Sequence, residues 1–139
     1  MSPVKHLDHL NLTVADLATT ERWYAEVFGF RRVEGGVHRG HPWAILRAGE
    51  ALLCVYEHPR RPAPDSEGAH RVNHFGLRIT DAEDFLARAE AAGVEVRYGG
   101  VVEWPHSRSW YVADPTGYEI EVAAWRDDTV RFGAAVQRT

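Results

Sequence analysis

The stretch DHLNLTVADL, at residues 8–17, is repeated in outline as NHFGLRITDA, at residues 73–82. In each copy a histidine, His9 or His74, follows a polar residue, apolar residues then occupy alternate positions, and an aspartate stands seven residues after the histidine. Alternation with a period of two is typical of a β-strand with one buried face, and aspartate is a good N-cap for a helix that follows. The repeat therefore predicts a module that runs from a strand into a helix and occurs twice in the chain.

A run with helical periodicity follows each aspartate. Apolar residues recur there at spacings of three, four and seven, which places them on one face of a helix. They are Leu17, Tyr24, Val27 and Phe28 in the first run, and Phe85, Leu86, Ala89 and Ala92 in the second. Gly29 and Gly93 come next, at the position where glycine commonly ends a helix. We therefore expect one amphipathic helix in each module.

Short strands are expected after each helix. They are 31–37, 43–47 and 51–56 in the first half, and 94–98, 109–113 and 118–123 in the second, where a further strand at 101–104 is left open. The sequence Asp-Pro-Thr-Gly at 114–117 is typical of a β-turn with proline at its second position. Each half then has the order βαβββ. The expected fold class is α+β, with two tandem βαβββ modules forming a curved mixed sheet around a cavity and the helices outside.

Length and composition favour one domain built from the two modules. The chain has 139 residues, of which 45% are hydrophobic and 26% charged, as is usual for a globular domain. We expect a single domain over residues 1–139. Its parts are module one at about 4–58, a linker rich in proline and charge at 59–69, module two at about 70–125 and a C-terminal tail at 126–139.

Charge and cysteine content exclude several classes of protein. The net charge of -4 argues against a nucleic-acid partner, and the single cysteine, Cys54, excludes an internal disulfide framework and a cysteine-rich zinc site. The N-terminus has no apolar core of a secretory signal, and no segment reaches the roughly 18–20 apolar residues of a spanning helix. We therefore expect a cytoplasmic protein with no membrane partner.

Strand alternation also separates a polar face from an apolar one. In the first strand His9, Asn11 and Thr13 share the polar face, and His74 and Glu121 lie on the polar faces of their own strands. Two neutral imidazoles and one carboxylate bind a borderline divalent ion and leave positions open for water or substrate. Such an ion acts as a Lewis acid or lowers the pKa of bound water. These residues therefore favour a metal site, with surface histidines as the alternative.

At this point the sequence resembles the vicinal oxygen chelate superfamily, which includes glyoxalase I, fosfomycin resistance proteins, extradiol dioxygenases and bleomycin resistance proteins. The resemblance is carried by DHLNLTVADL at 8–17, WYAEVFGF at 23–30, NHFGLRI at 73–79 and WYVADPTGYEIEV at 110–122. It extends from about Val4 to Trp125. It implies a pair of βαβββ modules and a divalent ion (Zn, Mn, Ni or Fe(II)) whose ligands are His9, His74 and Glu121.

Two departures from family patterns narrow this expectation. Cys54 stands where some members add a glutamate ligand, so the chain looks more like the three-ligand members; the alternative is that Cys54 is a small buried apolar residue. The segment VVEWPHSRS at 101–109 lacks the lysine of fosfomycin-type proteins, which argues against fosfomycin modification. The complete set of three ligands argues against a protein that only sequesters a drug.

Further residues are candidates for catalysis or substrate binding. Beside Glu121, Tyr111 is a candidate hydrogen-bond donor to an oxyanion. His41 and His106 lie in or beside loops and are candidate general bases, since histidine titrates near neutrality. The candidate substrate-binding residues are Asn11, Thr13, Tyr56, Trp43 and Trp110. For these tyrosines and tryptophans the alternative is an aromatic core residue, and for the two histidines a solvated loop.

The expected function is that of a metal-dependent enzyme of glyoxalase-like type, a lyase, isomerase or thiol-addition enzyme, acting on a small substrate that chelates through oxygen. Two alternatives stay open. One is an extradiol-type ring-cleaving dioxygenase with Fe(II), and the other is a protein that sequesters a drug or metabolite, as bleomycin resistance proteins do. The resemblance also implies a homodimer, with each metal site either within one chain or shared between two.

Overall fold

The computed structural model describes residues 2–58 and 72–127, and the chain divides into two compact units, Met1–Asp65 and Ser66–Thr139. The boundary falls inside the segment predicted as the linker. That segment and the predicted tail beyond residue 127 lie outside the described residues. Within the described residues each unit has one helix and one four-stranded sheet, which confirms the predicted α+β class and the two tandem βαβββ modules.

Unit one follows the predicted order of elements. They are β1 (Leu10–Val14), α1 (Leu17–Phe28), β2 (Arg31–His38), β3 (His41–Ala48) and β4 (Ala51–Glu57). The strands lie in the order β1-β4-β3-β2. The pair β1–β4 is parallel and the other two pairs are antiparallel. Hence the first strand of the module, which carries the repeat, lies directly beside its last strand.

Helix α1 begins and ends as the sequence predicts. The Asp16 carboxylate accepts a hydrogen bond from the Thr19 N–H at 2.8 Å, and the Glu57 carboxylate accepts one from the Leu17 N–H at 2.8 Å. These bonds satisfy two of the N–H groups that a helix N-terminus leaves free. At the other end Gly29 adopts a left-handed conformation with φ 76°, which glycine reaches without steric cost.

The core of unit one lies between α1 and one face of its sheet. Tyr24 and Val27 of the helix are fully buried, and the Tyr24 ring meets the Phe30 ring edge to face at a centroid distance of 5.6 Å. The sheet contributes alternate residues, which are Leu12, Val14, Ala44, Leu46, Leu53 and Val55. The intervening residues point to the opposite face, the one that the repeat predicts to be polar.

Unit two repeats this arrangement. Its elements are β5 (Phe75–Ile79), α2 (Ala82–Ala91), β6 (Val102–Glu103), β7 (Ser107–Ala113) and β8 (Glu119–Trp125). The strands lie in the order β5-β8-β7-β6, with β5–β8 parallel and the other pairs antiparallel. Phe85 and Ala89 of α2 are buried, as are Trp110 and Val112 of β7 and Ile120 and Val122 of β8.

The strand predicted at 94–98 is not formed. Only one backbone bond ties this segment to the sheet, from the Arg97 N–H to the Tyr111 carbonyl at 2.8 Å. Tyr98 then has φ 58° and Gly99 φ 79°, so the chain turns away before a ladder of bonds develops. The first strand after α2 is therefore the two-residue β6, and β6, β7 and β8 are the three strands that the βαβββ order places after the helix.

No helix within residues 2–58 and 72–127 combines the length and the apolar character needed to cross a membrane.

Candidate metal centre and substrate cavity

The candidate site in unit two begins with a pair of side chains that the β5–β8 ladder brings together. Gly76 lies opposite Glu121 in the register of these two parallel strands, and His74 stands two residues before Gly76. The Nε2 atom of His74 lies 3.1 Å from the Oε2 atom of Glu121. Two residues that are 47 positions apart in the sequence are thereby in contact, as the predicted ligand set requires of them.

Two neighbours on β7 hold the Glu121 carboxylate. The Ser109 hydroxyl donates a hydrogen bond to Oε1 at 2.8 Å, and Tyr111 lies directly opposite Glu121 in the β7–β8 register. Burial raises the pKa of Glu121, but hydrogen bonds from Ser109, Tyr111 and His74 outweigh it and hold that pKa below its ordinary value. Glu121 is therefore an ionised carboxylate at neutral pH, in the form that binds a cation.

Tyr111 has the opposite shift. Burial, followed by its hydrogen bond to Glu121 and the charge of that carboxylate, raises the pKa of Tyr111 to about 12. The phenol therefore stays protonated near pH 7 and acts as a hydrogen-bond donor, not as a base. Its ring also meets the His74 ring at a centroid distance of 5.9 Å, so that Tyr111 lines the same end of the site.

A second ion pair, between Arg97 and Glu119, is linked to Tyr111 through Tyr98. Glu119 Oε2 accepts hydrogen bonds from Arg97 at 3.0 Å and from the Tyr98 hydroxyl at 2.6 Å. The Tyr98 ring in turn meets the Tyr111 ring nearly at right angles, at 5.3 Å between centroids. Glu119 thus shares the strand face of Glu121 and is neutralised locally by Arg97, which leaves Glu121 as the carboxylate that faces His74.

Both repeat histidines are oriented by the residue that precedes them. The Nδ1 atom of His74 lies 2.7 Å from Asn73 Oδ1, and the Nδ1 atom of His9 lies 2.8 Å from Asp8 Oδ2. Carboxylate and amide oxygens only accept hydrogen bonds, so Nδ1 carries the hydrogen in each ring. When the ring is neutral, Nε2 then keeps its lone pair, and this tautomer is the one in which metal-binding histidines are usually held by a neighbouring oxygen.

The donor set of unit two fits a divalent ion. The His74 Nε2 atom and an ionised Glu121 oxygen lie 3.1 Å apart, a separation that is bridged either by a proton on Nε2 or by a cation that takes its place. Nitrogen and carboxylate oxygen are the ligands that borderline divalent ions prefer. Within residues 2–58 and 72–127 no three histidine, cysteine, aspartate or glutamate side chains are grouped around one point. Unit two therefore supplies two of the three predicted ligands, and His9 belongs to unit one.

A cavity of about 630 Å³ extends from this pair over the same face of the sheet of unit two. Its wall combines the polar groups of the metal end with large apolar side chains. The lining residues are His74, Gly76, Leu77, Arg78, Trp104, Ser107, Ser109, Tyr111, Glu121, Ala123 and Trp125. Trp104 is 46% exposed, which is unusual for a tryptophan in a small domain and marks an apolar contact surface.

The predicted residues of unit one lie on the corresponding face of its sheet. Asn11 is opposite Cys54 and Thr13 is opposite Tyr56 in the β1–β4 register, while Trp43 is opposite Tyr56 across β3–β4. They therefore line one continuous polar and aromatic surface.

Gly36 makes room for the indole of Trp43, because a Cβ there would stand 3.2 Å from the Trp43 Nε1 atom. A substituent at this position would press on the ring.

The predicted base His41 begins β3 and does not lie in a loop. Its ring stacks on the His58 ring at 4.9 Å between centroids and meets the Tyr56 ring at 5.8 Å. The Nδ1 atom of His58 is buried with no hydrogen-bond partner among the described residues. His41 is therefore part of an aromatic cluster at one end of β3 and β4.

Two other predicted residues are placed away from the cavity of unit two. His106 lies in the turn between β6 and β7 and is not among the lining residues, although Ser107 beside it is. Trp110 is 4% exposed and packs on Phe85 of α2, with 6.1 Å between ring centroids. The prediction that Trp110 lines the pocket is wrong, because adjacent strand residues face opposite sides and Tyr111 occupies the cavity side.

Several residues at the site went unrecognised in the sequence. Ser109 shares the strand face of Tyr111, so that parity was a usable signal for it. Asn73 and Asp8 precede the repeat histidines in both copies, which is also visible in the sequence. Trp125 had no local signal, since its place in the cavity depends on how far β8 continues beyond Glu121.

Comparison with known proteins places these features in a family. The family model described as Glyoxalase/Bleomycin resistance protein/Dioxygenase superfamily matches residues 6–122. Glutathione transferase FosA of Serratia marcescens is 27% identical over 125 residues, which cover 86% of this chain and 80% of that protein.

Solved structures share the fold. A glyoxylase/bleomycin resistance protein/dioxygenase domain from Frankia sp. EAN1pec has a TM-score of 0.77 at 20% identity, covering 91% of this chain and 96% of that chain. The fosfomycin resistance protein FosX from Listeria monocytogenes, in a complex with Mn(II) and sulfate, has a TM-score of 0.64 at 21% identity, covering 87% of this chain and 93% of that chain.

Proposed function

Because the chain belongs to the glyoxalase/bleomycin resistance protein/dioxygenase superfamily, we propose that it is a metal-dependent enzyme of glyoxalase-like type acting on a small substrate that chelates through oxygen. The reaction class is a lyase, isomerase or thiol addition. The observation that carries the proposal is the contact between His74 Nε2 and the ionised Glu121 carboxylate at one end of a cavity.

The proposed ligands are His74, Glu121 and His9. His9 completes the set because it occupies the same place in the repeat as His74 and has its Nδ1 atom held in the same way, by Asp8. The complex of FosX with Mn(II) supports a divalent ion as the cofactor, with Zn, Mn, Ni and Fe(II) as the candidates. A bound divalent ion supplies Lewis-acid stabilisation of negative charge that develops on a substrate oxygen.

The protein residues have separate tasks in this proposal. Tyr111 stays protonated, and its single O–H, which contacts Glu121 in the structure, would turn to the developing oxyanion and stabilise its charge. Ser109 keeps Glu121 in one orientation. Asn11 and Thr13 bind substrate from unit one together with Tyr56 and Trp43. The proposed base is His41 of unit one, whose imidazole would accept the proton.

Metal binding tests the proposal directly. Protein purified without chelator is expected to contain one divalent ion per site, measured by mass spectrometry of the metal and by calorimetric titration with Mn(II). Ala substitution of His74 or His9, or Glu121→Gln, removes a ligand and should weaken Mn(II) binding by roughly 100-fold or more, beyond the loss typical of supporting residues.

Matched variants serve as controls. Glu119→Gln changes a carboxylate on the same strand face, and His6→Ala changes a histidine on the same N-terminal segment as His9; both should keep the affinity of the unmodified protein. A protein that takes up no Mn(II), Zn(II), Ni(II) or Fe(II), or one whose affinity survives Glu121→Gln, would contradict the proposal.

A second function, sequestration of an aromatic compound, is favoured by the exposed Trp104 and by Trp125 in the wall of the cavity. It predicts ligand binding that is unchanged when the metal is removed with a chelator, whereas the enzyme requires the ion for turnover. The extradiol dioxygenase alternative needs an acid/base group at the cavity, and the candidate base His106 is not among the residues that line the cavity of unit two. Oxygen uptake with Fe(II) and catechols tests that alternative.

A further inference from the structure

The end of the cavity away from His74 carries a positive charge that no acidic side chain within residues 2–58 and 72–127 neutralises. Arg78 lines the cavity, is exposed to solvent, and has its guanidinium over the ring of Trp125, 4.8 Å from the ring centroid. In the two described ranges of the chain neither a hydrogen bond nor an ion pair occupies the Arg78 guanidinium. Its donors are therefore available to a ligand.

The contact with Trp125 prepares Arg78 to bind an anion. A guanidinium that stacks on an aromatic ring is held in one plane, and the N–H groups along its edge still point outward. This edge matches the two oxygens of a carboxylate in a bidentate pair. Trp125 is thus a positioning residue for Arg78, and Ser107, opposite Trp125 in the β7–β8 register, adds a hydroxyl at the same end.

The two ends of the cavity are separated by the length of a small organic molecule. His74 and Arg78 lie four residues apart along one strand, as do Glu121 and Trp125, which corresponds to roughly 13 Å at the rise of an extended chain. The residues between them on the cavity face are small, namely Gly76, Ser109 and Ala123. Trp104 offers an exposed apolar surface to a ligand that spans this distance.

We propose that the cavity selects an elongated substrate with a carboxylate at one end, bound by Arg78, an aromatic or flat apolar body against Trp104, and its oxygen-chelating group at His74 and Glu121. The position of the chelating end rests on the proposed function. The assignment of the carboxylate end is argued from Arg78 and Trp125, and it does not depend on a bound ion.

Binding of a matched pair of probes tests this inference. 5-(3,4-Dihydroxyphenyl)pentanoate carries vicinal oxygens and a carboxylate at a separation close to that of the two ends, and its primary amide is a neutral analogue of the same shape. Calorimetric titration of the whole protein should show the acid binding roughly 10-fold or more tighter than the amide, as expected for a hydrogen-bonded charge. In Arg78→Gln this preference should disappear.

Arg108→Gln is the matched control. Arg108 also lies over a tryptophan, with its guanidinium 5.4 Å from the centroid of Trp110, but it is on the opposite face of the same sheet. This variant should keep the full preference for the acid. Arg78→Lys keeps the positive charge but lacks the planar guanidinium, so it should retain part of the preference for the acid. If circular dichroism shows that Arg78→Gln fails to fold, a reduced preference in Arg78→Lys serves as the test.

The outcomes separate this inference from the proposed function. A preference for the acid that survives chelation of the metal and depends on Arg78 supports the inference even if metal binding fails. Equal binding of acid and amide to the unmodified protein, a preference that persists in Arg78→Gln, or no binding of either probe overturns it, whatever the metal titration shows.

Discussion

Cys54 occupies the position in unit one that Glu121 occupies in unit two. Asn11 is opposite Cys54 in the β1–β4 register, and Gly76 is opposite Glu121 in the β5–β8 register. The two histidines of the repeat each stand two residues before these partners. The family resemblance implies that some members have a fourth metal ligand at the position of Cys54. The strand register agrees, because Cys54 is equivalent to Glu121.

The environment of Cys54 predicts an unreactive thiol. Burial raises the pKa of Cys54 above its ordinary value, so that little thiolate is present at neutral pH. A disulfide reagent at pH 8 should therefore react several-fold more slowly with the folded protein than with the protein in urea. Because Cys54 is the single cysteine, the absorbance of the released reagent reports on this thiol alone. Cys54→Ala gives the background absorbance.

The same thiol is expected not to bind the metal. Co(II)-loaded protein should lack the near-ultraviolet absorption that a thiolate ligand produces, and Cys54→Ala should leave the Co(II) spectrum and affinity unchanged. A thiolate band that vanishes in Cys54→Ala would instead make Cys54 a fourth ligand.

At the scale of elements, the turn between β7 and β8 depends on one carboxylate. Asp114 is 5% exposed, and its Oδ1 atom accepts hydrogen bonds from the N–H groups of Thr116, Gly117 and Tyr118, each at 2.9 Å. Gly117 has φ 105°, a conformation that disfavours other residues. This turn sets where β8 begins, and therefore which residue of β8 lies opposite Tyr111.

Asp114→Ala should destabilise the protein. It removes the acceptor of three N–H groups around a buried position, and we expect the free energy of unfolding to fall by about 2–3 kcal/mol. Asp114→Asn keeps an oxygen for the same donors and should lose about 1 kcal/mol or less. Urea unfolding followed by tryptophan fluorescence measures both, and equal losses in the two variants would show that the acceptor is not the source of stability.

At the scale of the whole molecule, β2 is an edge strand that is exposed within residues 2–58 and 72–127. It is the last strand of the sheet of unit one, and all eight of its residues are exposed, including Val33 at 57% and Val37 at 71%. An exposed edge strand invites pairing with another chain; Val33 and Val37 add apolar surface to this edge, whereas Arg31, Arg32 and Glu34 add charge. This feature agrees with the homodimer that the family resemblance implies, and it identifies the edge at which a second copy is expected to bind.

Sedimentation velocity should therefore show a species with twice the mass of one chain. A charged residue on the edge opposes strand pairing, so Val37→Lys should shift the equilibrium toward the monomer. Tyr98→Lys, which also replaces an exposed apolar residue but lies in unit two, should leave the dimer intact. A monomer at all concentrations of the unmodified protein would contradict the prediction.

The sequence by itself determined the module and its repetition. Alternation along a strand and the 3.6-residue period of a helix are local properties, so they can be recognised without knowledge of the fold. This is why β1 and β5, both helices and the βαβββ order were predicted correctly. The segment at 94–98 was predicted wrongly because its outcome depends on the positive φ of Tyr98, which no pattern of apolar residues announces.

Only the tertiary structure decided which residues share the cavity. Trp110 and Tyr111 are neighbours in the sequence, and alternation says that they face opposite sides. The packing of Phe85 of α2 on Trp110 places Trp110 in the core and leaves Tyr111 opposite Glu121. In the same way, the contact of Arg78 with Trp125 follows from the register of β5 against β8. The register between two strands, and the sheet face on which a helix packs, are set by contacts between distant segments. They therefore cannot be read from the residues of one strand alone.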